Sequence, residues 1–81
     1  MKKAEIRLSL AENVKTFVNI VTKYPFDMDL RAGRHVVDAK SILGIFSLDL
    51  SRTISLEIDD EKCDQPELLD ALLKEIQPFI V

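Results

Sequence analysis

The chain has 81 residues, enough for one domain and too few for two, and its 47% hydrophobic and 31% charged content is that of a folding chain. A formal net charge of −3 without a long basic run argues against a nucleic-acid partner held through its phosphates. No apolar run approaches the ~20 residues that span a bilayer, so no membrane insertion is expected. Glu5 and Arg7 interrupt the segment where a signal peptide would need an apolar stretch. Cys63 is the single cysteine and has no intrachain disulfide partner, so a cytoplasmic setting is expected and the thiol reads as a bystander. Repeats, low-complexity tracts and linkers are absent, which predicts one domain over 1–81.

Lys3 to Leu8 alternates, with Ala4, Ile6 and Leu8 on one face, and predicts a half-buried strand. Ser9-Leu10-Ala11-Glu12 has the spacing of a capping box, in which the serine hydroxyl accepts from the Glu12 amide and the carboxylate reaches back. A helix is expected from there to about Tyr24, with Val14, Phe17, Val18 and Val21 as its apolar stripe and Pro25 as its stop. Phe26, Met28 and Leu30 alternate in a second strand, Ala32-Gly33-Arg34 forms a turn, and a third strand runs to about Ala39 with Val37 and Ala39 inward. Ser41 can cap a short helix reaching about Leu48. Thr53 to Ile58 alternates as a fourth strand with Ile54, Leu56 and Ile58 inward. Asp64-Gln65-Pro66-Glu67 opens the last helix, whose buried stripe is Leu69, Leu72, Leu73 and Ile76 and which Pro78 ends.

The order βαββαβα predicts an α+β open-faced sandwich, a four-stranded antiparallel sheet with three helices on one face. The first two strands would run parallel with the fourth between them, a split βαβ arrangement. RNA-binding domains share this order but stack bases on aromatics of the open face. The outward positions here, from Lys3, Glu5 and Arg7 to Thr53, Ser55 and Glu57, hold no aromatic ring.

One segment is more specific. Lys23-Tyr24 precedes the second strand, and Lys40-Ser41-Ile42-Leu43-Gly44-Ile45-Phe46-Ser47-Leu48 follows at a fixed distance. This pattern resembles the regulatory-serine segment of the HPr family, the phosphocarriers of the bacterial sugar phosphotransferase system. In Gram-positive members that segment reads much like K-S-I-M-G-V-M-S-L, in the same register from a Lys-Tyr pair. The resemblance implies an HPr-like fold over nearly the whole chain.

That family carries phosphate on a histidine at the start of its first helix, in a His-x-Arg-Pro setting. Helix amides and dipole stabilise the anion there, and the arginine adds charge-assisted hydrogen bonds. The ungapped register puts Leu10 at the histidine position, Glu12 at the arginine and Asn13 at the proline. The loop before the helix is also a few residues shorter. The resemblance therefore implies a member without phosphohistidine transfer, not itself an enzyme. Its partners would be proteins of the phosphotransferase or catabolite-control network, including a serine kinase. The other reading is a diverged carrier that relays a phosphoryl group through an unconventional residue.

His35, the one histidine, sits after the Gly33 turn. Its plain reading is an exposed hairpin residue. Its sharper reading is a relocated acceptor, since the topology puts that hairpin at the same end of the sheet as the first helix's start. Ser41 reads as a helix cap and, by the resemblance, as a regulatory phosphorylation site with Lys40 beside it. The positions of Leu43 and Phe46 would form the family's apolar partner-binding patch, or else be core. Asp59-Asp60-Glu61 lacks the ligand spacing of a calcium or magnesium site and reads as a solvated loop, so no metal or cofactor is expected. The apolar stretch Phe79-Ile80-Val81 raises a third option, an oligomerisation surface.

Overall fold

The computed structural model describes residues 2–61 and 65–81. The predicted roles of Cys63 and Asp64 lie outside the described residues. The elements are β1 (Lys2–Ile6), α1 (Ala11–Val21), β2 (Asp27–Ala32), β3 (His35–Asp38), α2 (Ile42–Phe46), β4 (Ile54–Asp59) and α3 (Pro66–Glu75), followed by a 3-10 turn over Gln77–Phe79.

The sheet order is β1-β4-β2-β3, and every neighbouring pair is antiparallel. β1 and β2 therefore run parallel with β4 between them, as the sequence order predicts. Alternation does the sorting. Ile6, Met28, Leu30, Ile54, Leu56 and Ile58 all point to one face and are buried. The helical stripes meet them there: Val14, Phe17 and Val21 from α1, Ile45 from α2, and Leu72 with Ile76 from α3 and its end. Each such side chain contributes roughly 1.5–3 kcal/mol when fully buried, so one shared core holds sheet and helices together. The fold is the α+β open-faced sandwich that the order of elements predicts.

The open face is a polar lattice. The Glu57 carboxylate lies 3.2 Å from the Arg31 guanidinium and 3.8 Å from the Lys3 ammonium. Ser55 donates to Glu5 at 3.2 Å, and Arg7 donates to Thr53 at 3.3 Å. The β2–β3 hairpin turns at Gly33, whose φ of 60° is the only positive one among the described residues.

The predicted capping box does not form. The N-cap of α1 is Leu10, in extended geometry and without a side-chain cap bond. Its carbonyl accepts from Asn13 at 3.0 Å and Val14 at 3.3 Å. Leu8 is fully buried beyond the end of β1, and the helix starts only after the chain has seated it. That delay moves the helix start one residue past Ser9, out of reach of the hydroxyl. Local spacing proposed the motif, and burial of a neighbour set the register. Other boundaries shift slightly: β1 ends at Ile6, α1 at Val21 and α2 at Phe46. The residues after α1 tighten into a turn instead, with Lys23 donating to Ile20 and Tyr24 to Val21, each at 3.2 Å.

The apolar stretch at 79–81 is docked on the chain through its backbone, with Phe79 and Ile80 half-buried and the Val81 side chain left exposed. Phe79 packs edge-on against Phe17, with ring centroids 6.1 Å apart. Ile80 bridges to Ile6, Arg7 donates to the Phe79 carbonyl at 2.9 Å, and Val81 donates to the Glu5 carbonyl at 2.9 Å. The segment lies along the outer edge of β1 as a short added strand.

Candidate functional site

The site builds outward from the turn that joins β3 to α2. Asp38 accepts from the Lys40 amide at 2.9 Å through its side chain and from Ser41 at 3.0 Å through its carbonyl, which folds the chain back. Ser41 then takes extended geometry, and its hydroxyl accepts from the Gly44 amide at 3.2 Å. This is the predicted cap. Gly44 permits it sterically. A β-carbon there would lie 3.2 Å from the Val37 Cβ and 3.3 Å from the Ser41 hydroxyl. A hydrogen at this position lets α2 close onto β3.

Five residues of helix cannot bury every side. Ile45 is the anchor and is fully buried, and Ile42 packs partly against the core. Leu43 is 82% exposed and Phe46 43% exposed. Of the two readings of these side chains, the core is the one that fails. They form an apolar surface beside a half-buried serine.

Lys40 reaches back to the residues that follow α1. Its ammonium donates to the Tyr24 carbonyl at 2.8 Å. The fixed distance between Lys23-Tyr24 and Lys40 in sequence is thus a contact in space. Tyr24 stacks on Phe26, with rings 6.5 Å apart and 9° from parallel, and its hydroxyl bonds the Glu75 carboxylate. Lys23 reaches the same carboxylate at 2.7 Å. The hydrogen bond to Glu75, helped by partial burial and by the carboxylate's charge, raises the Tyr24 phenol above its ordinary value. The Lys23 bond, then the Tyr24 bond, hold the Glu75 carboxyl below its own. Sequence reading missed Glu75, because a partner over fifty residues away leaves no local signal.

At the start of α1 stands Leu10, 60% exposed, with Glu12 in the first turn. The side chain at the helix entrance carries no nucleophile and no proton-transfer group. His35 pairs with Ala32 across the hairpin and is exposed. A cleft of about 320 Å³ lies against Asp27, Met28, Asp29, Asp38 and Lys40. Three of its five lining residues are carboxylates, which disfavours an anionic ligand. Among the described residues no group of three or more His, Cys, Asp or Glu is placed to hold a metal ion. No helix among them is long and apolar enough to cross a membrane.

A split βαβ sheet, three helices on one face and a serine-capped short helix beside an apolar patch define an HPr-like protein. The family model described as the PTS HPr component phosphorylation site matches residues 10–77, and the chain belongs to this family. Similar solved structures agree. HPr-C-His from Thermoanaerobacter tengcongensis is 27% identical, with 95% of this chain and 92% of that chain covered and a TM-score of 0.72. The catabolite repression containing protein Crh of Bacillus subtilis is 26% identical over 94% of this chain and 87% of that chain, with a TM-score of 0.63. The phosphocarrier protein HPr from Bacillus anthracis str. Ames is 26% identical over 91% and 94%, with a TM-score of 0.56. No curated protein matches the sequence significantly.

Proposed function

We propose that this chain is a regulatory or adaptor member of the HPr family that works in the cytoplasm through protein contacts and does not relay phosphate on histidine. The observation that carries this reading is Leu10 at the N-cap of α1, the position to which the family resemblance assigns the phosphorylated histidine. A phosphoryl group needs a nucleophile there, and leucine offers none. Glu12 in the first turn adds a negative charge where an incoming anion needs a positive one. With or without a capping box, a carboxylate in that turn opposes a phosphoryl group.

Contact with partners runs through Leu43 and Phe46, with Ser41 at the rim as the residue a kinase would modify and Lys40 beside it. Two N–H donors of the Lys40 ammonium remain beyond the bond to Tyr24, enough to meet an added phosphate. Partners are proteins of the phosphoenolpyruvate-dependent sugar phosphotransferase or catabolite-control network. The similarity to Crh, described as a catabolite repression protein, supports the regulatory side of this reading. The whole chain, 1–81, acts as one domain.

The deciding experiment is incubation with the first enzyme of the phosphotransferase system, phosphoenolpyruvate and Mg²⁺. No acid-labile label is expected on this chain under conditions that label a histidine-bearing HPr fully. Rapid acid-labile labelling overturns the reading, and its loss in His35→Ala would replace it with a relay through the hairpin histidine.

A further inference from the structure

The segment 79–81 occupies one stretch of the β1 edge and leaves another. Its two backbone bonds go to the Glu5 carbonyl and the Arg7 amide. Alternation along an antiparallel edge puts the Lys3 carbonyl and the Glu5 amide on the same side. We propose that this segment is a strap that keeps β1 from pairing with β1 of a second copy of this chain.

The charge pattern of β1 selects that partner. An antiparallel β1–β1 pair centred on Ala4 sets Ala4 opposite Ala4. It then sets Lys3 opposite Glu5 twice, once on each side of the two-fold axis. Opposite charges directly across a ladder are favourable, and like charges are not. Centring on Glu5 would instead face Glu5 with Glu5 and Lys3 with Arg7. One register is therefore favoured on the solvent face. In that register Lys2 of the second copy stands opposite Ile6, the place Ile80 holds now. The carbonyl of Glu5 would also be called on by the second strand, for the Lys3 amide, and the strap holds it through Val81. An open strand edge is a template for association, and natural folds cover such edges.

Two substitutions release the strap by different means. Val81→Pro removes the donor to Glu5. Val81 is 70% exposed, and Ile80 has φ −72° and ψ 133°, the extended geometry a following proline requires, so the fold is expected to survive. Ile80→Asp removes the half-buried side chain at the bridge. Sedimentation equilibrium should find the parent chain at its monomer mass of 9.2 kDa and the released variants in a monomer–dimer equilibrium at least tenfold tighter. Adding Lys3→Glu should abolish that dimer, and adding Lys3→Glu with Glu5→Lys should restore it. Folded Val81→Pro protein that sediments like the parent overturns the proposal, whatever happens to Ile80→Asp. So does a dimer that ignores the charge exchange.

Discussion

Replacing Ser41 with alanine tests the local geometry on which the α2 surface rests. The hydroxyl accepts one hydrogen bond, from the Gly44 amide, and at 3.2 Å it is at the long end of normal. N-cap serine to alanine costs about 0.5–2 kcal/mol, and a single long bond belongs near 1 kcal/mol. Each kcal/mol lowers Tm by about 4–8 °C in a domain of this size, so the loss should be of that order. Ser41→Asp keeps an acceptor of equal capping strength and should stay close to the parent. Circular dichroism melts at neutral pH measure both. If Ser41→Ala melts within about 1 °C of the parent, the cap is not holding α2. If Ser41→Asp falls as far as alanine, the added charge is poorly tolerated there, and a regulatory phosphate at the same atom loses its physical support.

Leu43→Ala should change stability by no more than about 0.5 kcal/mol, whereas Ile45→Ala, two residues on and fully buried, should cost about 2–5 kcal/mol; thermal melts separate them. Binding to a phosphotransferase or catabolite-control partner, measured calorimetrically, should weaken in Leu43→Ala and Phe46→Ala while the fold persists. Gly44→Ala should fail to deliver the gain of about 1 kcal/mol that helix propensity promises, because the new methyl meets Val37 and Ser41; a clear rise in Tm would show that the helix has room to shift. Tyr24 is the only tyrosine, so its ultraviolet titration is unambiguous, and Glu75→Gln should bring the midpoint down toward ~10. The raised phenol contributes stability that is complete below that ordinary value and is lost as pH climbs through the folded one. The lowered Glu75 carboxyl contributes stability present above its unfolded value and lost as pH falls through the folded one. Unfolding midpoints of Glu75→Gln should accordingly lose part of their pH dependence at both ends.

Most of the fold was legible because its determinants are local. Period-two alternation in β2 and β4 and the stripe of α1 name the buried residues directly, and Gly33 marks a turn that requires positive φ. The Ser41 cap was legible for the same reason, with donor and acceptor three residues apart. The start of α1 was not. Ser9 and Glu12 satisfy the capping-box spacing, but burial of Leu8 decides where the chain is free to turn, and no short window contains that fact. The 79–81 segment reads as a sticky apolar end only until its partner is known to be β1, more than seventy residues earlier. The tie from Lys23 and Tyr24 to Glu75 was hidden likewise. Exposure of Leu43 and Phe46 was undecided in sequence, since five residues of helix span little more than one turn and repeat no apolar stripe.

The placement of β1 also constrains the order of events at the ribosome. Its ladder partner is β4, from Lys2 opposite Ile58 to Ile6 opposite Ile54, and its other edge meets residue 80. At about 5–20 residues per second, synthesis runs for several seconds after β1 is made before its partner exists. The β2–β3 hairpin, closed by Gly33, needs no such wait. The earliest strand to be made therefore waits for the latest, and slow translation lengthens the interval in which Ile6 lacks its ladder partner.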